Sequence, residues 1–589
     1  MKLDEKALRR RRRGRAIVFA GSALAALALH WTRASGSWSL APLGLLPLLG
    51  LYHRWPGART VGRLCRPLAR PALSATLIGA LAVVVSGAIS FLTAMPQPTF
   101  HDEFSYLLAA DTFAHGRLAN PTHPMWVHFE APHVLHQPSY ASAYPPGQGM
   151  VLAFGQVVFG QPIAGVWLSA GLACGALTWM LAGWMPGRWA LAGGLLALAH
   201  PVTISWSQNY WGGLVATFGG ALVLGAVRRI VRRPRATHAV VLGVGLAALA
   251  NSRPYEGLVL SVPFAVVLGV WLATRPPRSA GTTFRRVALP LAVVLAITAS
   301  WMLYYNYRVT GDPLTPGHLH AHRTYGTQPI FLFQGPRPLP TYRHEHLKRL
   351  FSEGVSHQPD RALAGLAARV RSRTETHASW YFRSWLVVFP VALLWPLERN
   401  RWYLAAIASL GVFAAVGLGL PSWSFTHYSA PAAGLVLLVF LRAMRRIGVW
   451  RPGRHRLGLP LVQALWILVV AIMALESWDS VRSRRETSWP YDRVRVSADL
   501  GTRGTRGEKH LVVVRYSPAH DPHEEWVYNA ADIDAAPVVW AHDMGPRENA
   551  QLLDYFKDRR VWLLEPDGPQ VEPVPYSVRQ VPSMPRSAP

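Results

Sequence analysis

Long apolar runs recur along this chain, separated by short polar segments, and their lengths match the span of a hydrocarbon core. A span-length window combined with the distribution of Lys and Arg predicts about thirteen transmembrane helices. The basic segments Arg9 to Arg15, Arg54 to Arg70, Arg228 to Arg235, Arg275 to Arg286, Glu398 to Arg401 and Arg442 to Arg456 then fall on the cytoplasmic side. The opposite side receives two large loops, 96–160 and 310–376, three short turns at 207–210, 252–255 and 422–426, and everything after about Trp478. Met150 to Gly160 is apolar but too short to cross, so it reads as an interfacial helix. Near the start, Ala16 to Trp31 follows a run of arginines, yet Trp31, Thr32 and Arg33 make a poor cleavage site, which predicts a retained first span.

The pattern changes after residue 478. Leu511 to Tyr516, Val538 to His542 and Val561 to Glu565 are short runs with strand character, and Pro546 to Asp558 carries helical spacing at Leu552, Leu553 and Phe556. A small α/β unit is expected there, with a loose Pro-rich end from Pro566 onward. The expected fold class is therefore an all-α polytopic membrane protein with a small C-terminal extracytoplasmic α/β domain. Its parts are an N-terminal basic segment with two helices (1–71), a transmembrane core with its outer loops (72–478), and the soluble domain (479–589).

Composition agrees and narrows the function. Of 589 residues, 51% are hydrophobic and only 15% charged, and the net charge of +29 is gathered in the loops as an orientation signal rather than in a nucleic-acid surface. Nucleic acid is not an expected partner; the lipid bilayer is. Cys65 and Cys174 provide neither a disulfide framework nor a metal cluster. No internal repeat of the kind found in many transporters is visible.

The first outer loop opens with Thr99-Phe-His-Asp-Glu-Phe-Ser-Tyr106, carries five histidines between His115 and His136, and closes with Tyr144-Pro-Pro-Gly147. A loop of this length needs a function. Asp102 and Glu103 stand where a span meets water. One reading is local: Thr99 is a good N-cap, Asp102 sits three residues on as in a capping box, and acids suit a first helical turn. The other is chemical: a carboxylate at the mouth of a membrane cavity takes the proton of an attacking hydroxyl.

An acidic pair just after an early span, a long outer loop, a Pro-Pro segment and Phe159-Gly160 before the next span together resemble the GT-C glycosyltransferases, the class of the protein O-mannosyltransferases and the lipid A aminoarabinose transferase. The resemblance covers roughly Leu73 to Arg445. It implies a sugar donor carried on a polyprenyl phosphate or pyrophosphate, inverting transfer on the outer face, and Asp102 as base with Glu103 as the second acid of the pair. Two spans precede the family core, and an Asp-x-Asp is lacking at this site, which argues against a metal-dependent mechanism of the oligosaccharyltransferase type; no cofactor is expected, a divalent metal being possible but unsupported.

A lipid-phosphate donor calls for cations near the outer surface. Arg253, in Asn251-Ser-Arg-Pro-Tyr-Glu256, is one candidate; it could also pair with Glu256 or snorkel. His427 lies in Ser424-Phe-Thr-His-Tyr-Ser-Ala-Pro431, which resembles a His-Tyr-x-x-Pro segment of the same family; with Tyr428 it could equally anchor the interface. Arg308 is a third. Tyr106, Tyr144, Glu256, Tyr428, His318 and His320 are candidate substrate contacts. His318, His320 and His322 would share one face in an extended strand and approach a metal, but without a fourth ligand, hydrogen bonding to sugar or phosphate is the better use. Tyr325, Phe331 and Phe333 suit a sugar-stacking surface or a lid. Trp206, Gln208, Asn209, Tyr210 and Trp211 read most simply as an aromatic belt at a span boundary.

These features predict a membrane glycosyltransferase that moves a sugar from a polyprenyl-phosphate donor to a lipid, glycan or protein acceptor. A bacterial inner membrane with a cytoplasmic N-terminus is the expected setting. The alternatives are a transporter or flippase of lipid-linked glycans and a non-catalytic glycan-assembly protein on the same scaffold.

Overall fold

The structure, a computed structural model, describes residues 67–577 apart from 275–279, 336, 353–362, 383–397, 503–506 and most of 451–488. The crossings expected before residue 67, and those expected at 383–397 and in 459–478, fall wholly or largely outside the described residues. Among the described residues, six helices are long and apolar enough to span a membrane. In chain order the elements that shape the site are α1 (Pro71–Leu92), α2 (His101–Ala114), α3 (Pro146–Phe159), α4 (Pro162–Trp184), α5 (Gly213–Arg232), α6 (Ala236–Ala250), α7 (Pro254–Thr274), α8 (Leu289–Thr310), α9 (Gly317–Tyr325) and α10 (Glu345–Ser352). Of these, α1, α4, α5, α7 and the helical stretch ending in α8 are candidate spans, as is Arg401–Leu418.

Small residues let the spans approach closely. A Cβ on Gly79 of α1 would stand 2.9 Å from the Gly171 carbonyl of α4, so the two backbones touch where lipid gives no hydrophobic drive to association. The 14-residue α3 is not among the candidate spans. It packs one face on α2 and leaves Met150, Phe154, Val157 and Phe159 exposed, an amphipathic arrangement that fits an interfacial position.

Helix α2 begins differently from the capping box read in the sequence. Phe100 is the N-cap and has no side-chain cap. Instead the Glu103 carboxylate reaches back, accepting from the Thr99 amide at 3.2 Å and the Thr99 hydroxyl at 3.0 Å. The acid that organises the helix start is therefore Glu103, which leaves Asp102 to point elsewhere.

The first outer loop folds over α2 as a small antiparallel sheet of β1 (Asn120–Pro121), β3 (Ser139–Ser142) and β2 (Val134–Leu135), in that order. The C-terminal segment forms β4 (His510–Val514), β5 (Val538–His542), α11 (Pro546–Tyr555), β6 (Arg560–Leu564) and β7 (Val574–Pro575). Its sheet order is β5-β4-β6-β7, with the first three strands parallel and β7 antiparallel on β6. The strand–helix–strand passage through α11 thus crosses over β4. The segment after Pro566 is more ordered than its composition implies: Asp567 accepts from the His520 ring and the Ser517 amide, and β7 extends the sheet, while 578–589 lie outside the described residues.

This unit sits directly on α2. Phe104 stacks on Tyr528 with ring centroids 3.9 Å apart, and Leu108, Phe129 and Tyr140 join one buried cluster with Trp526, Val527 and Trp540. The Tyr528 hydroxyl donates to the His101 carbonyl at 2.7 Å, and the Ala531 amide donates to Asp111 at 2.8 Å. An aromatic pair of this kind adds about 0.5–1.5 kcal/mol to the burial itself.

Candidate active site

One cleft of about 710 Å³ opens between the first outer loop, the turn before α7, the second outer loop and the 421–428 segment. Asp102 and Tyr106 of α2, His133, Tyr144, Arg253, Glu256, His318, His427 and Tyr428 line it, so most of the sequence candidates meet in a single place.

Asp102 is at its centre. The Tyr144 hydroxyl donates to Oδ1, His133 Nε2 lies 3.2 Å from the same oxygen, and His101 Nδ1 lies 3.4 Å from it. Burial alone would raise the carboxyl pKa; the neighbouring His133, His101 and Tyr144 outweigh it and hold Asp102 far below the usual carboxylate range. Burial also pushes His133 down to about 4. At neutral pH the cleft therefore presents an ionised carboxylate that accepts from the Tyr144 hydroxyl beside a neutral His133 ring.

His133 is placed by backbone geometry. Its φ of 60° is unusual for a residue with a side chain, and the Ser105 hydroxyl steadies it by donating to its carbonyl at 2.7 Å. Ser105 lies three residues after Asp102, on the same face of α2. Tyr144 is set by the turn that follows: the Gly147 amide donates to the Asn251 carbonyl at 2.8 Å. A Cβ on Gly147 would come within 2.6 Å of that carbonyl oxygen. Only a glycine lets the Pro-Pro-Gly end of the first loop dock on the α6–α7 turn that carries Arg253.

Across the cleft, the Arg253 guanidinium lies 4.7 Å from the Tyr428 ring centroid. The ring holds the planar cation against the cleft wall. His427 packs on Trp211 with centroids 5.0 Å apart, and its buried Nδ1 has no hydrogen-bond partner in the protein.

Other candidates are placed elsewhere. Glu103 is buried outside the cleft lining, where Oε2 accepts from the Tyr210 amide at 2.8 Å. Burial and the adjacent Asp102 charge outweigh these bonds and raise its pKa to about 7. Arg308 is exposed and donates to the Tyr304 hydroxyl at 3.1 Å. The residues around His318 form helix α9 rather than a strand, so His318 and His322, four apart, share the cleft face and His320 does not. The expected belt at 206–211 is also altered: Trp206, Gln208 and Tyr210 are buried, Gln208 binds Ser86 and Ser90 of α1, and Trp211 lines the cleft.

His101, His133, Ser105 and His523 were not singled out in the sequence. His133 was one histidine among five, and nothing in linear spacing marks a residue whose role depends on φ > 0. His523 comes from the C-terminal unit, more than 400 residues from Asp102.

A group able to hold a metal lies outside the cleft lining. His344 and His346, just before and on α10, and His542, at the end of β5, bring ligand nitrogens within 4.8 Å of one another, all buried. Three converging imidazoles are a donor set suited to a zinc-like ion. The Glu525 carboxylate stands 3.0 Å from His346 Nε2; burial opposes its charge, but His346 and His542 hold it well below the usual range. His101, Asp102 and His133 also converge, yet there the carboxylate oxygen that both imidazoles approach already accepts from the Tyr144 hydroxyl.

The chain is similar to solved structures of membrane transferases. ArnT from Cupriavidus metallidurans bound to undecaprenyl phosphate aligns over 82% of this chain and 92% of its own, with a TM-score of 0.47 and 16% identity. The oligosaccharyltransferase AglB from Archaeoglobus fulgidus, in complex with an inhibitory peptide and a dolichol-phosphate, aligns over 83% of this chain and 69% of its own, with a TM-score of 0.37 and 11% identity. No protein-family model and no curated protein matches the sequence. At these scores the likeness assigns no role to any residue.

Proposed function

We propose that this protein is an integral-membrane glycosyltransferase that moves a sugar from a polyprenyl-phosphate carrier to an acceptor hydroxyl at the extracytoplasmic surface. The observation that carries this reading is the pairing, within one cleft at the end of a span, of an ionised carboxylate with a guanidinium held on an aromatic ring. Asp102 accepts the proton of the acceptor hydroxyl as its oxygen attacks the anomeric carbon from the face opposite the leaving group, which inverts the configuration. Arg253, with His427, receives the departing lipid phosphate, whose negative charge grows as the bond to the sugar breaks. Because that leaving group departs as a stable anion, it needs no proton, and one carboxylate suffices. Tyr106, Tyr144, Tyr428 and His318 offer hydroxyls, rings and a nitrogen to the sugar and acceptor. Glu256, also in the cleft, balances Arg253.

The test is to reconstitute the full chain and an Asp102→Asn variant in nanodiscs and supply a panel of radiolabelled polyprenyl-phosphate sugars. The expected result is acceptor-dependent release of lipid phosphate by the wild type and its loss in the variant. Undiminished turnover by Asp102→Asn would overturn the assignment of the base.

A further inference from the structure

The environment that keeps Asp102 ionised also makes it a poor place to store a proton, so a transferase working through it needs an onward path. The structure contains one. His101 is buried beside Asp102, with Nδ1 3.4 Å from Oδ1 and without a hydrogen bond of its own. Its other nitrogen, Nε2, is 3.2 Å from Nδ1 of His523, and the two rings stack with centroids 5.3 Å apart. His523 is exposed at the rim of the cleft and is held there by a turn in which its amide donates to Asp521 Oδ1 at 2.9 Å. Carboxylate, buried imidazole and exposed imidazole thus form a continuous line from the floor of the cleft to solvent.

We propose that His101 and His523 form a proton relay that empties Asp102 after each transfer, and that the C-terminal unit is therefore part of the working site. This inference rests on the reading of Asp102 as base. The acceptor O–H bond breaks as the bond to the anomeric carbon forms, and the lipid phosphate leaves with the electron pair of its own bond to the sugar. The proton goes to Asp102, then to Nδ1 of His101. His101 gives up the proton on Nε2 to Nδ1 of His523, and His523 releases its Nε2 proton to water. One proton reaches solvent per sugar transferred; both imidazoles are then neutral again but carry their protons on Nδ1, and each exchanges back to the Nε2–H tautomer through water before the next cycle.

The polarity of the line supports this direction. Tyr144 and His133 already occupy Oδ1, so His101 is not required as a third permanent donor and its Nδ1 lone pair is open to a proton. The groups facing the pair are Asp102 and His133 from the cleft and Asp521 from the turn itself; burial and His101 outweigh the two acids and keep His523 below its ordinary pKa, so it does not trap the proton it receives. Tyr528 and Phe104 clamp the two elements together, which fixes the distance between the rings.

Two measurements test the relay. The first needs no substrate: in ¹⁵N-histidine-labelled full-length protein in nanodiscs, His101, assigned by His101→Asn, is expected to carry its proton on Nε2, with a signal that moves in His523→Ala. A resting Nδ1–H tautomer, or a His101 signal indifferent to His523→Ala, would overturn the proposal. The second uses the polyprenyl-phosphate sugar that the panel identifies. His523→Ala and His523→Gln are both expected to lower kcat about tenfold with an unchanged KM for the donor. Each should show a larger solvent isotope effect and recover with added imidazole. Gln keeps a hydrogen bond to His101 but cannot pass a proton, so full activity in His523→Gln, or a loss that imidazole does not restore, would also overturn it. If Asp102→Asn is inactive while both His523 variants keep wild-type kcat, the relay falls and the glycosyltransferase reading stands. If Asp102→Asn remains active, both fall.

Discussion

Ser105 holds His133. Its hydroxyl, one turn along α2 from Asp102, donates to the His133 carbonyl at 2.7 Å and lies 2.8 Å from the Ser142 hydroxyl, tying the helix that carries the base to the residue before β2 and to the end of β3, beside which its partners His133 and Tyr144 stand. Removing that hydroxyl leaves a half-buried carbonyl with one partner fewer and frees a residue at positive φ to relax. Ser105→Ala is expected to reduce kcat by about tenfold while leaving the donor KM nearly unchanged, since Arg253 and its surroundings stay in place. Steady-state kinetics with the donor found by the panel check this; a pure KM effect would argue against it.

The depressed pKa of Asp102 fixes the acid side of the pH profile. Burial pushes the carboxyl up, and His133, His101 and Tyr144 pull it down further than burial raises it. The base is then ionised throughout the range in which the protein is folded, and no acid limb from Asp102 should appear above about pH 4. His133→Ala removes the largest opposing influence, so the limb is expected to move upward into the accessible range. A profile of kcat/KM against pH for the two proteins shows the shift directly, and an unmoved limb would remove His133 from the account.

Glu103 makes a separate prediction about stability. Its pKa is raised from an ordinary value of 4.5 to about 7 in the folded chain. Between these values the folded state holds a proton that the unfolded state has lost, so stability falls as pH rises from about 4.5 to 7 and levels off above. The full difference is roughly 3 kcal/mol. Glu103→Gln cannot titrate, and its thermal stability should lose this slope, whatever offset the amide introduces at the Tyr210 contact. Thermal unfolding in nanodiscs at pH 5, 6, 7 and 8 reads the slope in both proteins.

Much of the site was legible in the sequence because it is punctuated by residues with strong local meaning. Asp102 follows a span, Arg253 sits in a polar turn between two apolar runs, and His427 and Tyr428 precede a third. All four meet in the cleft. What linear reading missed depends on the third dimension. Glu103 and Asp102 are adjacent, but a helix turns consecutive residues by about 100°, so one braces the chain and the other faces the cleft. His318, His320 and His322 alternate with the period of a strand, and helix α9 imposes a different one. The strands of the C-terminal unit were placed within a few residues, yet nothing local indicates that they dock on α2, because that contact joins residues more than 400 positions apart.

His344, His346 and His542 predict a bound ion. If one is resident, plasma emission spectrometry on the full-length protein should find about one zinc or similar ion per chain, and His346→Ala should lose it. Because the ligands come from the second outer loop and from β5, chelation is expected to lower the unfolding temperature and to increase proteolysis of residues around α10. Metal-free protein that keeps the wild-type unfolding temperature would leave the three imidazoles as a hydrogen-bonded cluster.

Arg253 gives the sharpest distinction between charge and shape. A lysine at this position keeps a positive charge but loses both the planar stack on Tyr428 and the paired N–H groups that match phosphate oxygens. If Arg253 stabilises the leaving phosphate, its contribution grows in the transition state, so Arg253→Ala should lower kcat rather than raise KM alone, by about 10²–10³-fold. Arg253→Lys should fall between that variant and the wild type. A Tyr428→Leu variant keeps the arginine and removes its platform; it is expected to act mainly on kcat, more weakly than Arg253→Ala. Were the guanidinium only a partner for Glu256, the double variant Arg253→Ala with Glu256→Gln would restore turnover. Under the proposed role it remains as slow as Arg253→Ala, because the departing phosphate still meets no cation.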